Sequence, residues 1–396
     1  MKTIYLDHAA TTPLDERVLE KMLPFLKEQY GNPSSLCYQG RVASTAIANA
    51  RQKIANGLNC EVNEVIFTSG GTESDNLALI GAALANKHKG QHIITSNIEH
   101  HAVLKSCEAL AKQGFSITYL PVDKYGLITP VQVQNAITAQ TILVSIIYAN
   151  NEIGTIEPVK EIAHVCKEKG VLIHTDACQA VGACSIDVKD LGVDLLTING
   201  SKIYGPKGSG VLFIRTGVKV SPLLYGGSQE FKMRPGTENV AGIVGLAEAF
   251  ELARSEQNLE ENKRLVVMRD RLISALLNSI PKSRLNGHPT KRLPNNVNIS
   301  FLNIEGESIL LHLDALGISA STSSACTSAD LEPSHVLLAL GLPKEVAHGS
   351  LRLTLGRSNS NEDIEYVIAM ITKIVQRLRA ISAINLDTAD FPGLFS

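Results

Sequence analysis

Val171-Leu172-Ile173-His174-Thr175-Asp176 is a short, strongly apolar run that ends in a carboxylate. A second run of this kind, Leu195-Leu196-Thr197-Ile198, leads to Lys202 in a glycine-rich loop. Such runs are typical of strands buried on both faces of a sheet. Ligands of open α/β sheets bind beyond the carboxyl ends of the strands. Asp176 and Lys202 are therefore predicted to lie at one ligand site.

Further apolar runs flank these two, and amphipathic stretches separate the earlier ones. The runs are at residues 65–68, 92–95, 117–120, 142–147 and 211–214, and the helical patterns are at 72–85, 102–112 and 159–169. Alternation of this kind indicates parallel strands covered by helices. The predicted fold class is α/β, with a mostly parallel sheet between helices in a large domain.

The pattern changes after about residue 255. A charged helical stretch at 256–277 precedes mixed strand and helix candidates at 298–302, 307–316, 350–355 and 361–379. This mixture indicates a smaller α+β domain. We predict a large domain over residues 14–255 and a small domain formed by 1–13 and 256–396. The tail after Ala380 shows no clear period, so it is expected to be peripheral.

Composition excludes several classes of function. The chain has 396 residues, 44% of them apolar, and a net charge of −2, with Lys and Arg scattered. Nothing favours nucleic acid or an anionic membrane as a partner. No apolar run approaches the roughly 18 residues of a membrane span, and the N-terminus lacks a secretory pattern. The expected location is cytoplasmic.

The seven cysteines form no C-x-x-C pair, which argues against disulfides and structural zinc, so no metal is required. Cys107 and Cys166 lie in helical patterns, as packing residues do, and Cys178 and Cys184 beside the Asp176 strand are expected to pack as well. Cys326 differs, because it lies in a loop of small polar residues, 321–328, with little to bury. Such a loop suits a mobile nucleophile.

Ser69-Gly70-Gly71-Thr72 follows the strand at 65–68 and enters a helix. Unpaired backbone N–H groups at a helix start, together with the Thr72 hydroxyl, favour phosphate. The turn is not a P-loop, since the glycine and lysine spacing of that motif is missing. An ordinary capped turn between strand and helix is the alternative.

Asp176 and Lys202 suit one cofactor chemistry. A buried carboxylate needs a cationic partner, which is either a Lys or Arg side chain or a protonated pyridine nitrogen. A Schiff-base lysine must lose its proton readily, and partial burial and nearby positive charge promote that loss.

The phosphate turn, the strand-end Asp176 and the strand-end Lys202, in this order, resemble the fold-type I pyridoxal-phosphate (PLP) enzymes. In detail the chain resembles the cysteine desulfurases of the NifS/IscS type, within the class-V aminotransferase family. The matching stretches are residues 5–13, 31–35, 67–74, 99–103, 150–154, 202–208, 234–239 and 324–328. They follow the family's order and cover nearly the whole chain except its tail.

The resemblance implies a role for each matched position. Lys202 would bind PLP covalently and Asp176 would face the pyridine nitrogen. His100 would stack on the ring and move protons. The other cofactor contacts would be Gly71, Thr72, Asn199 and Ser201 at the phosphate, Asn151 and Gln179 at the ring oxygen, and Thr237 at the phosphate of the other subunit. The last contact implies a homodimer.

The resemblance also implies the reaction. L-cysteine would bind through its carboxylate to Arg352, with Asn32 as a weaker contact. Cys326 would take the substrate sulfur as a persulfide and leave L-alanine. A sulfur-acceptor protein, either an iron–sulfur scaffold or a thiolation protein, would then receive the sulfur. Cys326 is also a candidate iron–sulfur ligand.

Three features of the chain depart from the family pattern. Ser201 stands where the family has His, and Asn199 where it has Ser, although both can still hydrogen-bond a phosphate oxygen. The tail does not resemble the extension that docks a cluster scaffold, which leaves the acceptor open. Two alternatives also stay open: a lyase that acts on selenocysteine or releases free sulfide, and a catalytically silent sulfur-relay scaffold with this fold.

Overall fold

The computed structural model describes residues 3–322, 333–383 and 385–395. The strands are β1 Ile4–Tyr5, β2 Val65–Thr68, β3 His92–Ser96, β4 Ser116–Leu120, β5 Thr141–Ser145, β6 Leu172–Asp176, β7 Leu195–Asn199, β8 Gly210–Ile214, β9 Ser283–Leu285, β10 Asn296–Phe301, β11 Ile318–Ser319 and β12 Ser350–Thr354.

The α-helices alternate with the strands of the first half and surround those of the second. They are α1 Glu16–Lys27, α2 Tyr38–Leu58, α3 Gly71–Asn76, α4 Ala82–Asn86, α5 His101–Ala111, α6 Pro130–Ala136, α7 Val159–Lys169, α8 Val188–Leu191, α9 Val240–Ala253, α10 Glu256–Ser279, α11 Gly306–Asp314, α12 His335–Ala339, α13 Lys344–His348 and α14 Asn361–Ile381.

Seven strands form the main sheet, in the order β2-β8-β7-β6-β5-β3-β4. The pairs from β7 through β6, β5 and β3 to β4 are parallel, whereas β8 runs antiparallel to both of its neighbours. One apolar cluster lies on each face of this sheet, so strands such as β5 are buried throughout. The predicted α/β fold class is confirmed. The carboxyl ends of β6 and β7 lie side by side, which brings Asp176 and Asn199 to one edge.

The second half of the chain builds a separate apolar cluster around an antiparallel sheet, β12-β10-β9. Its helical wall is α10 and α14, which begin at the predicted residues 256 and 361. Strand β1 pairs in parallel with β11, and Asp7 bridges to Thr354. These pairings support the assignment of residues 1–13 to the small domain, and the domain boundaries themselves stay a prediction.

Two predicted elements differ in detail from those in the structure. The strand expected at 142–147 stops at Ser145, because the backbone N–H of Ile147 donates to the Glu99 carboxylate instead of a neighbouring strand. The helix expected at 72–85 contains a π-helical turn, Leu77–Gly81, where the Gly81 carbonyl accepts from the backbone of Ser221. Such turns interrupt the α-helical hydrogen-bond ladder without ending the helix.

The tail was expected to be peripheral, and the structure shows that part of it packs. Leu386, Phe391, Leu394 and Phe395 are partly buried against an apolar cluster that includes α12. The backbone of Leu386 exchanges hydrogen bonds of 2.8 and 3.0 Å with the Asn303 side chain. The apolar side chains of the tail pack against this cluster although their spacing shows no helical period. Among the described residues, no helix is both long enough and apolar enough to span a bilayer.

Candidate active site

A cavity of about 340 Å³ opens at the carboxyl ends of the central strands. Its lining includes most of the predicted site residues: Gly71, Thr72, His100, Asn151, Asp176, Gln179, Asn199, Lys202 and Arg352. Ser201, Thr237 and Asn32 are not among the lining residues. Cys326 lies outside the described residues. The cavity has the size of a small-molecule site.

Asp176 ends β6 and is only 5% exposed. Its Oδ1 accepts a hydrogen bond of 2.9 Å from the backbone N–H of Cys178. The thiol of Cys178 lies beside the turn at 69–72, since a Cβ on Gly71 would come within 2.7 Å of its sulfur. Glycine at position 71 is therefore required for the helix to begin next to the end of β6. Cys178 also lines the cavity, and its expected packing role stays a prediction.

The Lys202 amine lies in the cavity and donates hydrogen bonds to the carbonyls of Ala9 at 3.0 Å and Ala10 at 2.5 Å. The N-terminal segment thus reaches across to the large-domain loop that carries the lysine. Burial lowers the pKa of the Lys202 amine, and the Arg352 charge lowers it further, while Cys178, Asp176 and Asp7 oppose the shift. A lowered pKa favours the neutral amine that a nucleophilic lysine needs.

Arg352 belongs to β12 and is nearly buried. One guanidinium nitrogen donates to the Asp7 carboxylate at 2.8 Å, and another donates to the Asn151 backbone carbonyl at 3.2 Å. Its Nε is buried and has no hydrogen-bond partner among the described residues. A buried donor without a partner is costly, so this fork has capacity left for a carboxylate ligand.

His100 caps α5, because its Nδ1 accepts a hydrogen bond of 3.1 Å from the backbone N–H of Ala102. Nδ1 is then the unprotonated nitrogen, and the neutral ring carries its proton on Nε2. Burial lowers the pKa of His100, Asp176 opposes this, and Lys202 and His101 lower it further. The ring is therefore neutral at physiological pH and can donate a hydrogen bond from Nε2–H.

Two acidic residues of the cavity were missed from the sequence as site residues, Asp7 and Asp75. Asp75 is 1% exposed, and its Oδ1 has no hydrogen-bond partner in the described part of the chain. Burial raises the pKa of Asp75 well above its usual range, and the nearby Asp176 charge raises it further. The spacing from Thr72 to Asp75 was the available signal, because residues three apart share one face of a helix.

Thr237 and Asn32 are exposed and lie away from the cavity of their own chain. The Asn32 side chain accepts from the Ser34 backbone at 2.9 Å. The Ser201 hydroxyl donates to the Asn199 side chain at 3.2 Å, so these two departures from the family pattern contact each other. The roles predicted for these residues toward a cofactor or substrate stay predictions.

The described buried thiols are inert at neutral pH. Burial raises the pKa values of Cys107 and Cys166 to about 12, and both side chains are fully inaccessible in core clusters. The prediction that these two are packing residues is confirmed. Burial also raises the pKa of Cys184 to about 12. None of these three can supply a thiolate without local opening.

Next to His100, Glu99 should make the stability of the chain depend on pH. Burial raises the pKa of Glu99 from 4.5 to about 8. The folded chain therefore keeps a proton that the unfolded chain releases, and the free energy of unfolding falls as the pH rises between these values. Glu99→Gln should remove that part of the fall, on the order of a few kcal/mol, because an amide does not ionise. The amide oxygen can still accept from Ser96 and Ile147, so the local structure should be kept.

Urea unfolding at pH 5 and pH 8 measures the effect of Glu99. The variant should lose less stability than the wild type between the two pH values. The exposed Glu108→Gln, on the helix that His100 caps, is the control and should follow the wild type. Parallel losses in Glu99→Gln and wild type would show that this carboxyl ionises normally when folded.

Comparisons with known proteins agree with this geometry. The aminotransferase class-V family matches residues 4–367. The chain is 57% identical over 384 residues to a cysteine desulfurase IscS of Methanosarcina thermophila, covering 97% of this chain and 95% of that protein. It is 54% identical over 388 residues to a cysteine desulfurase IscS of Clostridium botulinum, covering 98% of each.

Solved structures give the same result. A NifS-like protein superposes with a TM-score of 0.89 at 37% identity, covering 95% of this chain and 100% of that one. The structure described as SspA in complex with cysteine superposes with a TM-score of 0.80 at 35% identity, covering 89% and 99%. The chain therefore belongs to the class-V aminotransferase family and, within it, to the cysteine desulfurases of the NifS/IscS type.

Proposed function

We propose that the protein uses PLP to convert L-cysteine to L-alanine and transfers the sulfur to Cys326 as a persulfide. The observation that carries the proposal is the meeting of Lys202, Asp176 and Arg352 around one cavity, from three distant parts of the sequence. An amine, a carboxylate, and a guanidinium with one donor that has no partner among the described residues are the groups that a cofactor aldehyde, a ring nitrogen and a substrate carboxylate need. The structure of a similar protein with cysteine supports the choice of substrate.

The residues present fit PLP. Lys202 would hold the cofactor covalently, Asp176 would pair with its pyridine nitrogen, and Gly71 and Thr72 would receive its phosphate. When bound, PLP withdraws electrons from the substrate Cα. The buried Asp176 carboxylate would favour the protonated pyridine nitrogen that this withdrawal requires. Asn199, Ser201, Asn151 and Gln179 would complete the contacts.

Substrate orientation and proton transfer would depend on side chains of the protein. Arg352 would orient the substrate through its carboxylate, since Arg352 lines the cavity and Asp7 and the Asn151 carbonyl hold its guanidinium in place. The Lys202 amine would take the proton from Cα and return one when alanine forms. The His100 ring would take up a proton from a thiol and give one to the leaving product, so that it ends each turnover neutral, as it began.

Sulfur transfer balances without an added oxidant. The Cys326 thiolate forms a bond to the substrate Sγ as the Cβ–Sγ bond breaks. The electron pair of the broken bond goes to Cβ, which then takes up a proton to become the methyl group of alanine. The product on the protein is a persulfide at Cys326. A thiol of the acceptor protein can then take its outer sulfur by exchange.

We also propose a cytoplasmic homodimer that gives its sulfur to an iron–sulfur scaffold or a thiolation protein. The residues at 30–38 and 224–231 expose large apolar side chains, among them Leu36 at 93% and Tyr225 at 86%, which supports a partner surface. Thr237 is exposed near the second of these segments and would reach the phosphate of the partner's site.

The test follows alanine and protein persulfide together. The protein with added PLP should be yellow, and borohydride should bleach its absorbance. L-cysteine should give alanine and persulfide in equal amounts on the first turnover. Free sulfide without persulfide would favour the lyase alternative. A colourless protein that does not respond to borohydride would favour the silent scaffold.

Two substitutions separate the catalytic role of His100 from its role as a helix cap. Asn is a good N-cap residue and Ala is not, so only His100→Ala should lower the free energy of unfolding, by about 1 kcal/mol. Both should lower the rate of alanine formation by about 10²- to 10⁴-fold, as loss of a proton-transfer group does. If His100→Asn turns over cysteine at the wild-type rate, the ring moves no proton.

A further inference from the structure

The turn Glu230–Lys232 has an unusual backbone. Its three residues are not glycines, yet their φ angles are 45°, 57° and 68°. The left-handed region is unfavourable for residues with a Cβ. A run of this kind persists only where the surroundings hold it in place.

A buried ion pair holds the turn. Arg51 from α2 donates to both carboxylate oxygens of Glu230, at 2.6 and 2.8 Å, and both side chains are nearly inaccessible. The Arg51 guanidinium also lies over two rings, 4.7 Å from the centre of Phe67 and 5.1 Å from that of Phe231.

The same two side chains bind the free edge of β2. This strand is at the edge of the main sheet and leads directly into the turn at 69–72. Glu230 accepts a hydrogen bond of 2.8 Å from the Phe67 backbone N–H, and Arg51 donates to the Val65 backbone carbonyl. The pair therefore replaces the neighbouring strand that the edge lacks.

A second ion pair joins this loop to the other side of the phosphate turn. Arg234 donates to Glu73 in the first turn of α3 at 2.9 Å, and Glu73 also accepts from the Ser69 backbone N–H at 2.9 Å. A cavity of about 160 Å³, lined by residues of both segments, lies between the loop and the turn. Two ion pairs therefore connect the loop to the segments on either side of the turn, Arg51–Glu230 at β2 and Arg234–Glu73 at α3.

We propose that Arg51 and Glu230 are positioning residues for the cofactor phosphate. Together with Arg234 and Glu73 they form a brace that keeps the turn at 69–72 in register with the loop at 229–236. This inference rests on the proposed function, because it takes that turn as the phosphate site. Neither Arg51 nor Glu230 lines the cofactor cavity, so their effect passes through β2.

The physical reason is that a phosphate site made of backbone N–H groups works only if those groups point to one place. Without the brace, the strained turn can relax and the β2 edge loses two hydrogen bonds. The phosphate turn should then fluctuate more and bind phosphate less tightly. The end of the site at Asp176 and Lys202, on β6 and β7, should be unaffected.

The experiment compares PLP with pyridoxal, which lacks the phosphate, in titrations of the full-length apoprotein followed by absorbance. Glu230→Gln keeps an oxygen for the Phe67 N–H but removes the charge beside Arg51. The double variant Arg51→Met/Glu230→Gln removes both charges, so that no buried ion is left without a partner. We expect PLP affinity to fall by about 10- to 100-fold, the scale seen when an orienting residue is lost, with pyridoxal affinity unchanged.

Two further proteins complete the design. Glu365→Gln breaks the exposed Arg271–Glu365 pair, which has a similar two-bond geometry at 2.7 and 2.9 Å, and should behave as the wild type. Arg51→Lys keeps the charge but not the fork, and should show an intermediate PLP affinity; it also serves if the other variants fail to fold.

The ratio of the PLP and pyridoxal affinities decides the proposal. If the folded variants keep the wild-type ratio, whether both affinities stay the same or both fall equally, the proposal is overturned and the brace only stabilises the fold. Failure of the wild type to bind PLP would instead reject the proposed function, so the two failures can be told apart.

Discussion

Replacing Cys326 with alanine should leave a protein that still binds PLP and L-cysteine but forms almost no alanine. Sulfur cannot leave the substrate without a thiolate to receive it, whereas the residues proposed to bind cofactor and substrate, such as Lys202 and Arg352 of the cavity, are unchanged in this variant. We expect the rate of alanine formation to fall by about 10³-fold or more, the scale seen when a nucleophile is removed. Steady-state assays measure the rate of alanine formation, and cofactor absorbance measures the binding of PLP and L-cysteine.

The matched control is Cys37→Ala. Cys37 is exposed and stands at the N-cap of α2 without a side-chain capping bond, so its loss should change neither folding nor rate. Labelling of persulfide should find sulfur on Cys326 in the wild type and in this control. Normal alanine release by Cys326→Ala would remove Cys326 from the mechanism and favour a lyase that releases sulfide.

Replacing Lys202 with alanine should abolish both the borohydride-sensitive absorbance and cysteine turnover. Lys202 is the lysine of the cavity, and its buried amine has a lowered pKa, as a nucleophilic amine needs. Loss of the covalent attachment and of proton transfer at Cα should together lower turnover by about 10⁴-fold or more, since proton transfer alone contributes about 10²- to 10⁴-fold. Absorbance spectra and alanine assays at saturating PLP measure this.

Lys207→Ala tests whether any lysine of the same glycine-rich loop would serve. Lys207 is exposed five residues along the chain, so the variant should keep wild-type absorbance and turnover. If Lys202→Ala retained the bleachable absorbance, another amine would hold the cofactor and the assignment of Lys202 would be wrong.

The α/β class and the order of strands along the chain could be predicted because buried strands leave a local signal. Each apolar run of the large domain became a strand within a few residues of its predicted bounds, as at β6 and β7. The exceptions had tertiary causes. The strand β5 ends early because a carboxylate from another segment, Glu99, accepts from the backbone N–H of Ile147.

Most of the candidate site could also be predicted, because its motifs are short and local. Gly71, Asp176 and Lys202 each sit beside a strand that the pattern reveals, and the structure brings them to one cavity. Thr237 and Asn32 could not be tested within one chain, since both are exposed away from that cavity.

By itself, the sequence determined which strands form the sheet and predicted which residues beside them carry chemistry, because periodicity and turn composition act over a few residues. Tertiary structure alone decided which distant groups meet: Asp7 with Arg352, and Arg51 with Glu230. The physical reason is that a buried charge must find its partner wherever the folded chain supplies one. No local pattern records that partner, because the two residues are as far as 345 positions apart.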